Sequence, residues 1–404
     1  MAIRIQAITA LPDFAPLQTF WQANQWHPNA DWDFYRVIVQ TRTAVLSPCA
    51  FVVFDGTEIV ALLAARIEAT NLPIHFGYAT MANPSVRQLV CIDGGFIGAW
   101  EPGLYRLLLE FLRSFLVGQR LDLALISQVR MNSPLHGVLL EGPRRHRAVP
   151  TRDVSLHWLM RLPKTWPEFL AARSKKHRYW LKRLNNTMDR DFPGTWTIQV
   201  FSSEAQAPVF LRAAEKVADT TYHRGLGVGL CADEQNLRRL SLEGARGQLR
   251  GYLLLIKEKP CAFWYCATFG QTLHLCSTGY NSALRNYELG TILLMKVFQD
   301  HCGSITDTVD FGLGDAGYKQ RFGTESYTES TFLVFSRTSR GSLLRAAIAV
   351  KTQCNDLTRR LLDKLQLTQL LKTFWRKKIS ARHAESPYTS QDPAKSALSK
   401  SDET

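Results

Sequence analysis

The chain has 404 residues, 46% of them hydrophobic and 21% charged, with a mean hydropathy of −0.13. This length exceeds one small module and points to two domains of roughly 200 residues each, while the composition excludes a disordered, collagen-like or coiled-coil polymer. The formal net charge of +14 resides in two segments: residues 171–190 carry seven basic side chains and one acidic, and residues 340–383 carry eleven and two. Charge concentrated in this way suits an anionic partner at defined surfaces, whether phosphate groups, nucleic acid or acidic lipid headgroups.

The eight cysteines form no C-x-x-C pair and no Cys/His cluster at zinc spacing, so they read as buried thiols, with no metal site. The amino terminus lacks the basic-then-apolar run of a signal peptide, and no stretch reaches 18 uninterrupted apolar residues. A reducing, cytoplasmic location is the expectation.

Along the chain, Trp21, Trp26, His27, Trp32 and Tyr35 crowd into fifteen positions. They read either as the core of an amino-terminal helix or as a platform of rings for a sugar. Between Pro48 and Arg66, two β-rich runs flank Asp55-Gly56, whose positive φ suits a tight hairpin. QLVCIDGGFIGA then predicts a strand entering a glycine-rich loop, EPGLYRLLLEFLRSFLVG an amphipathic helix, and LDLALIS and VSLHWLMRL two further strands. Thr165 and Glu168 form a capping box for a helix with apolar residues Trp166, Phe169, Leu170, His177, Trp180, Leu181 and Leu184 on one face. Lys175, Lys176, Arg178, Lys182 and Arg183 lie on the other.

After residue 195 the order of elements returns: a hairpin across Lys257–Pro260, the strand LHLCSTGYN, the helix ELGTILLMKVFQDHC, and the strands DTVDF and YTESTFLVFS. The fold expected is α+β, with two tandem copies, each a mixed, mainly antiparallel sheet flanked by helices. The expected boundaries are a first copy over 1–163, a basic connecting helix over 164–195, a second copy over 196–338, a basic amphipathic helix over 339–383 and a disordered tail over 384–404. In the carboxyl-terminal helix, Leu343, Ala347, Val350, Cys354, Leu357, Leu361 and Leu365 form a narrow seam expected to dock on the second half. Phe374, Trp375 and Arg376-Lys377-Lys378 suit contact with anionic membrane.

Gly312-x-Gly314-x-x-Gly317 after the strand TVDF matches the dinucleotide-binding fingerprint in form. It fails in context: a Rossmann unit continues into a helix and a parallel strand, whereas here a short polar stretch leads into the β-rich TESTFLVF. The same loop gathers the best acid–base candidates, Asp310, Asp315, Tyr318 and Lys319, with His223 and Glu288 outside it.

The second half carries S-K-K-H-R-x-x-L-K-R on a helix, then a three-stranded meander. It continues with N-x-x-L-R-N-Y-E-L-G-T at a strand-to-helix junction and D-F-G-L-G-D-A-G-Y-K-Q-R-F-G. This combination resembles the CelD-like acetyltransferase family of bacterial polysaccharide gene clusters, a branch of the GNAT superfamily related to the FemAB peptidyltransferases. The resemblance is strongest over residues 165–336. It implies a tandem GNAT-like fold with a degenerate first copy and one working site, in the second, and acyl transfer with acyl-CoA (acetyl-CoA above all) as cosubstrate and an amine or hydroxyl of a sugar or polysaccharide precursor as acceptor. No bound cofactor is implied.

The GNAT loop is Q/R-x-x-G-x-G/A. This chain offers Arg285, Asn286 and a single glycine, Gly290, with Leu289 and Thr291 beside it at the helix start, where free N–H groups suit a pyrophosphate. Lys176, Arg178, His223 and Arg224 are the candidates for contact with the acceptor. Two other readings stand beside this one. The first is Fem-like aminoacyl transfer from charged tRNA, which the basic helix 173–183 suits; the second is a non-catalytic GNAT pair serving as a scaffold at the membrane.

Overall fold

A computed structural model describes residues 3–364 apart from 77–78, 144–146, 152–153 and 222–228, and the side chains up to residue 355. The first half comprises β1 (Ile3–Ile8), α1 (Gln18–Asn24), α2 (Trp32–Thr41), β2 (Val45–Asp55), β3 (Glu58–Asn71), β4 (Ile74–Phe76), β5 (Ala79–Ala82), β6 (Ser85–Gly98), α3 (Pro102–Gly118), β7 (Leu123–Arg130), α4 (Pro134–Leu139), β8 (Val149–Pro150) and β9 (Ser155–Arg161). The second comprises α5 (Trp166–Ala171), α6 (Lys175–Asp191), β10 (Trp196–Phe201), α7 (Ala207–Ala218), α8 (Glu234–Ala245), β11 (Leu249–Ile256), β12 (Lys259–Phe269), β13 (Thr272–Tyr280), α9 (Leu289–His301), β14 (Thr308–Leu313), α10 (Gly317–Phe322), β15 (Glu325–Phe335) and α11 (Ser339–Lys364).

The described residues form two compact units that cross the expected boundary at 163. One holds residues up to 32, 42–152 and those from 330 on; the other holds 33–41 and 153–329. β9, expected as the last strand of the first copy, therefore belongs to the second unit, where it pairs antiparallel with β14 and with residues 325–329 of β15. The rest of β15 belongs to the first unit, where Phe332 and Leu333 pair with β8.

In the first unit the strands run in the order β1-β2-β3-β6-β7. The predicted hairpin is present, with Gly56 at φ +63° in its two-residue turn. β6 and β7 pair parallel, joined by α3. Leu108, Leu109, Leu112 and Leu116 recur at the helical period and pack onto Phe51, Leu63, Leu89 and Cys91 of the sheet. Each such leucine contributes on the order of 2 kcal/mol when fully removed from water. The glycines of QLVCIDGGFIGA lie inside β6, not in a loop after it. Trp21, Trp32 and Tyr35 are buried core residues, whereas Trp26 is 59% exposed.

The start of α11 packs on this first unit, not on the second half. Leu344 joins Val86, Leu123, Leu333 and Phe335, with Ile348 one turn on. Arg340 reaches the Asp122 carboxylate and the Ser85 carbonyl. Leu343 and Val350 of the expected seam are exposed, because the buried stripe starts one residue later. Residues 365–383, including Phe374, Trp375 and the basic cluster, lie outside the described residues.

In the second unit the order is β9-β14-β13-β12-β11-β10. The two-fold alternation of β12 feeds two cores. Ala262, Trp264 and Cys266 face the layer of α5, α6 and α9, while Phe263 and Tyr265 face α7 and α8. The helix predicted from Thr165 is two helices. Thr165 caps α5 through Glu168 N–H, and the chain breaks before Ser174, whose Oγ accepts the His177 N–H at 3.2 Å to start α6. The amino-terminal α2 belongs to this unit: Asp33 pairs with Arg246, and Phe34 lies under the Arg239 guanidinium at 4.5 Å.

Candidate acyl-transfer site of the second unit

β13 and β14 run parallel yet pair over only three positions, Thr272–His274 against Thr308–Asp310. Beyond that point β13 continues to Tyr280 and β14 to Leu313 as separate strands. The pairing of β12 with β13 shifts register at Tyr265/Cys266, leaving Cys276 as the extra residue of a bulge. A bulge bends and twists its strand, which separates β13 from β14. The edge of β13 past His274 then presents backbone N–H and C=O groups with no neighbouring strand on that side among the described residues. Gly279 is required here, since a Cβ would come to 2.6 Å from Phe263 Cε1.

That edge leads through Ser282–Tyr287 to the start of α9. Trp264 Nε1 donates to Gly290 O at 2.9 Å and pins the helix start to the sheet. Thr291 N–H donates to Glu288 O, whereas the N–H groups of Leu289 and Gly290 are the first of the helix and lack intrahelical acceptors. Glu288 stands where the Q/R-x-x-G-x-G/A pattern has its first glycine, and it adopts the glycine-like left-handed conformation, φ +49° and ψ +43°. Its carboxylate does not cap the helix. It accepts Trp180 Nε1–H at 3.2 Å and faces Arg321 at 3.7 Å, and that guanidinium lies 4.4 Å over the Trp180 ring.

At the vertex where the strands part, on the face opposite α9, lies a buried polar cluster. His157 Nε2 lies 2.7 Å from Asp310 Oδ1 and His157 Nδ1 lies 3.4 Å from Glu329 Oε2. His274 Nδ1 is 3.4 Å from Asp310 Oδ2, and Gly312 N–H donates to Asp310 Oδ1. Tyr327 stacks on the His157 ring at 4.8 Å. Burial pulls the His157 pKa down, but hydrogen bonds to Asp310 and Glu329 outweigh it and leave the pKa raised to about 9. Burial acts the other way on Asp310. The hydrogen bonds from His157 and His274 prevail and hold its carboxyl well below the usual carboxylate range.

Of the acid–base candidates among the described residues, Asp310 alone sits in this cluster. Asp315 is exposed and accepts from Gln320 Nε2 at 2.7 Å. Tyr318 packs beside Trp264 and Phe311, and burial pushes its phenol up. Lys319 is buried with Nζ donating to the carbonyls of Gly312 and Leu313, which ties the turn together. Asp315 and Tyr318 are thus separately engaged. Gly312 and Gly314 hold positive φ, as an irregular turn demands. A short helix, α10, does follow the third glycine, and β15 runs in the same direction as β14, but the antiparallel β9 lies between the two strands, so no adjacent parallel βαβ pair forms and the dinucleotide reading fails on topology.

Arg285 and Asn286 are exposed ahead of α9, Gly290 and Thr291 are half-buried, and the Leu289 side chain is in the core, leaving only its backbone to a ligand. Lys176 and Arg178 are exposed on α6, while the neighbouring Arg173 and His177 turn inward against Phe322. His223 and Arg224 lie outside the described residues. Sequence reasoning missed His157, His274 and Glu329. Their signal was faint, a polar residue at an alternate position of each of three strands.

Residues 175–320 match the sequence model of the acetyltransferase (GNAT) domain. No curated protein matches the chain. Among solved structures, that of FemX is similar with a TM-score of 0.53 at 11% identity, over 82% of this chain and 97% of that one. A tandem GNAT protein from the clavulanic acid biosynthesis pathway aligns with a TM-score of 0.45 at 11% identity, over 84% and 100%. The strand and helix order of both units and the position of the matched region lead to one assignment: the chain has a tandem GNAT-like fold whose second copy holds the residues that match the acetyltransferase (GNAT) domain model.

Proposed function

We propose that the protein is an acyltransferase that moves an acyl group from acyl-CoA to an amine or hydroxyl of a sugar or polysaccharide precursor, in its second unit. The observation that carries this reading is the parting of β13 from β14 directly below the start of α9. An extended thioester arm bearing a pyrophosphate needs a free strand edge for its amides and helix N–H groups for its phosphates, and the two adjoin here. The attacking nitrogen or oxygen adds to the thioester carbonyl, the C–S bond breaks, and the acceptor's proton must leave while the thiolate gains one. Asp310 with His274, at the vertex, is the pair best placed to take part in that proton balance. The acceptor class rests on the sequence resemblance.

A thermal-shift series with acetyl-CoA and longer acyl-CoAs tests the donor. Stabilisation that grows with the logarithm of concentration is expected, and no shift at millimolar levels would sink the acyl-CoA reading. One observation favours a second reading, donation from charged tRNA. Lys175, Lys176, Arg178, Lys182 and Arg183 all lie exposed on α6, around an exposed Tyr179. Transfer activity abolished by ribonuclease would select that reading.

A further inference from the structure

The first unit repeats the arrangement that marks the site in the second: a parallel pair, β6 and β7, joined by a helix. Pairing covers only Gln88–Cys91 against Leu123–Ile126, and β6 runs on to Gly98 beside β3 without β7. Its register against β3 jumps at this point. Cys91 faces Ala65 and Phe96 faces Leu63, so Ile92–Gly95 bulge out opposite the single residue Ala64.

In the first unit, however, both halves of such a site are taken by the chain itself. His27 sits on the bulge, 3.4 Å from the Asp93 carboxylate, and so close to Gly94 that a Cβ there would come to 2.2 Å from His27 Cβ. Asn29 Nδ2 donates to Asp93 at 3.1 Å, and its backbone N–H donates to His27 Nδ1, which fixes the segment's own turn. Trp26 Nε1 takes the Phe96 carbonyl and Trp100 Nε1 the Ile97 carbonyl. At the strand-to-helix junction, the rings of Trp100 and Tyr105 stack at 5.2 Å and both pack on Phe96. The helix start offers less than α9 does, because Pro102 at its first turn lacks an N–H.

We propose that the first unit's counterpart of the donor site is permanently filled by Trp26–Asn29 and by the Phe96, Trp100 and Tyr105 rings, so that the protein takes one acyl-CoA per chain, in the second unit. The stoichiometry rests on the acyl-CoA reading above; the filling of the first unit does not. The segment Trp26–Asn29 acts as a resident ligand of its own unit's strand. Gly94, at φ +74°, is the residue that lets it approach.

Two measurements on the full chain test this. Calorimetric titration with acetyl-CoA should give one site per chain in the wild type and none in Gly290→Asp. The latter sets a carboxylate beside the first N–H groups of α9, where the nearest atom to a new Cβ is 3.9 Å away and the side chain fits. Two sites in the wild type, or one that survives Gly290→Asp, would overturn the proposal. Hydrogen exchange on the ligand-free chain is the second measurement. Amides of 92–97 should exchange slowly in the wild type and at least tenfold faster in Trp26→Ala/His27→Ala, with those of 49–53 unchanged as evidence of folding. Fast exchange in the wild type, or no change in the variant, would overturn the plug. No binding to the wild type would remove the donor reading and the stoichiometry with it, while exchange would still decide whether the first unit is filled.

Discussion

The His157 imidazole bridges Asp310 and Glu329, with its two ring nitrogens 2.7 Å and 3.4 Å from their carboxylates, so a single side chain of β9 ties together β14 and β15. Among the groups that face it are Asp310 on β14, Glu329 and the Tyr327 ring on β15, and, across Asp310, His274 on β13. In the folded chain its pKa is raised to about 9 from an ordinary 6.5. A raised histidine contributes stability that is complete below the unfolded pKa and lost as pH rises through the folded one. The loss is on the order of 3 kcal/mol between roughly pH 6.5 and 9. Asp310 works with the opposite sign, since its depressed pKa gives stability that disappears as pH falls through the acid range. Melting temperature should therefore form a plateau near roughly pH 5 to 6.5 and decline on both sides. His157→Gln should flatten the alkaline decline. A wild-type melting temperature that stays constant from pH 6.5 to 9 would contradict the assignment.

Asp310→Asn removes the charge between two histidines and should cost about 3–5 kcal/mol in a denaturant titration, the usual penalty for orphaning a buried charge. Asp315→Asn, on an exposed carboxylate whose one partner here is Gln320, should stay within about 0.5 kcal/mol of wild type. Equal midpoints for the two variants would show that the vertex cluster is not an ionised network.

Two glycines of the site should respond in opposite ways. Gly279→Ala drives a methyl against Phe263 Cε1 at 2.6 Å and Thr221 Cγ2 at 3.2 Å, and should destabilise by about 1–3 kcal/mol. Gly290→Ala meets nothing closer than 3.9 Å and lies in the first turn of α9, so its midpoint should match wild type within about 0.5 kcal/mol.

Glu288→Gly exchanges a left-handed glutamate, costing about 1–2 kcal/mol, for a residue at ease there, and loses a half-exposed ion pair and the Trp180 hydrogen bond, together about 1–2 kcal/mol. The two nearly cancel, so stability should change by less than about 1 kcal/mol. Donor affinity should rise, because a carboxylate leaves the neighbourhood of the phosphates. Weaker acyl-CoA binding in a folded Glu288→Gly protein would show that the glutamate itself serves the donor.

The repeated order of elements was legible because each element is local. Asp55-Gly56 marks its hairpin, Thr165 and Glu168 mark a helix start, and Leu108 to Leu116 keep the helical period. Strand partners are not local, and the sequence alone did not assign β9 to the second unit or divide β15 after Glu329. The start of α9 was found from Leu289-Gly290-Thr291, yet Glu288 concealed the loop, since only its φ of +49° shows that it occupies a glycine's place. The vertex cluster was half legible. Asp310 stood out beside a glycine-rich turn, whereas His157 and His274 each follow a leucine within a strand and Glu329 is one of several polar residues of β15, and register brings the three together.

The division of β15 bears on how this protein can be inherited and dissected. A fragment spanning only residues 153–329 would lack α2, whose Asp33 and Phe34 engage Arg246 and Arg239. A fragment ending at residue 152 would lack Phe332, Leu333 and Val334, which complete the apolar interior of the first unit. Neither half is a continuous piece of gene. Recombination at any single point between the copies would leave each product without a segment that packs in its unit.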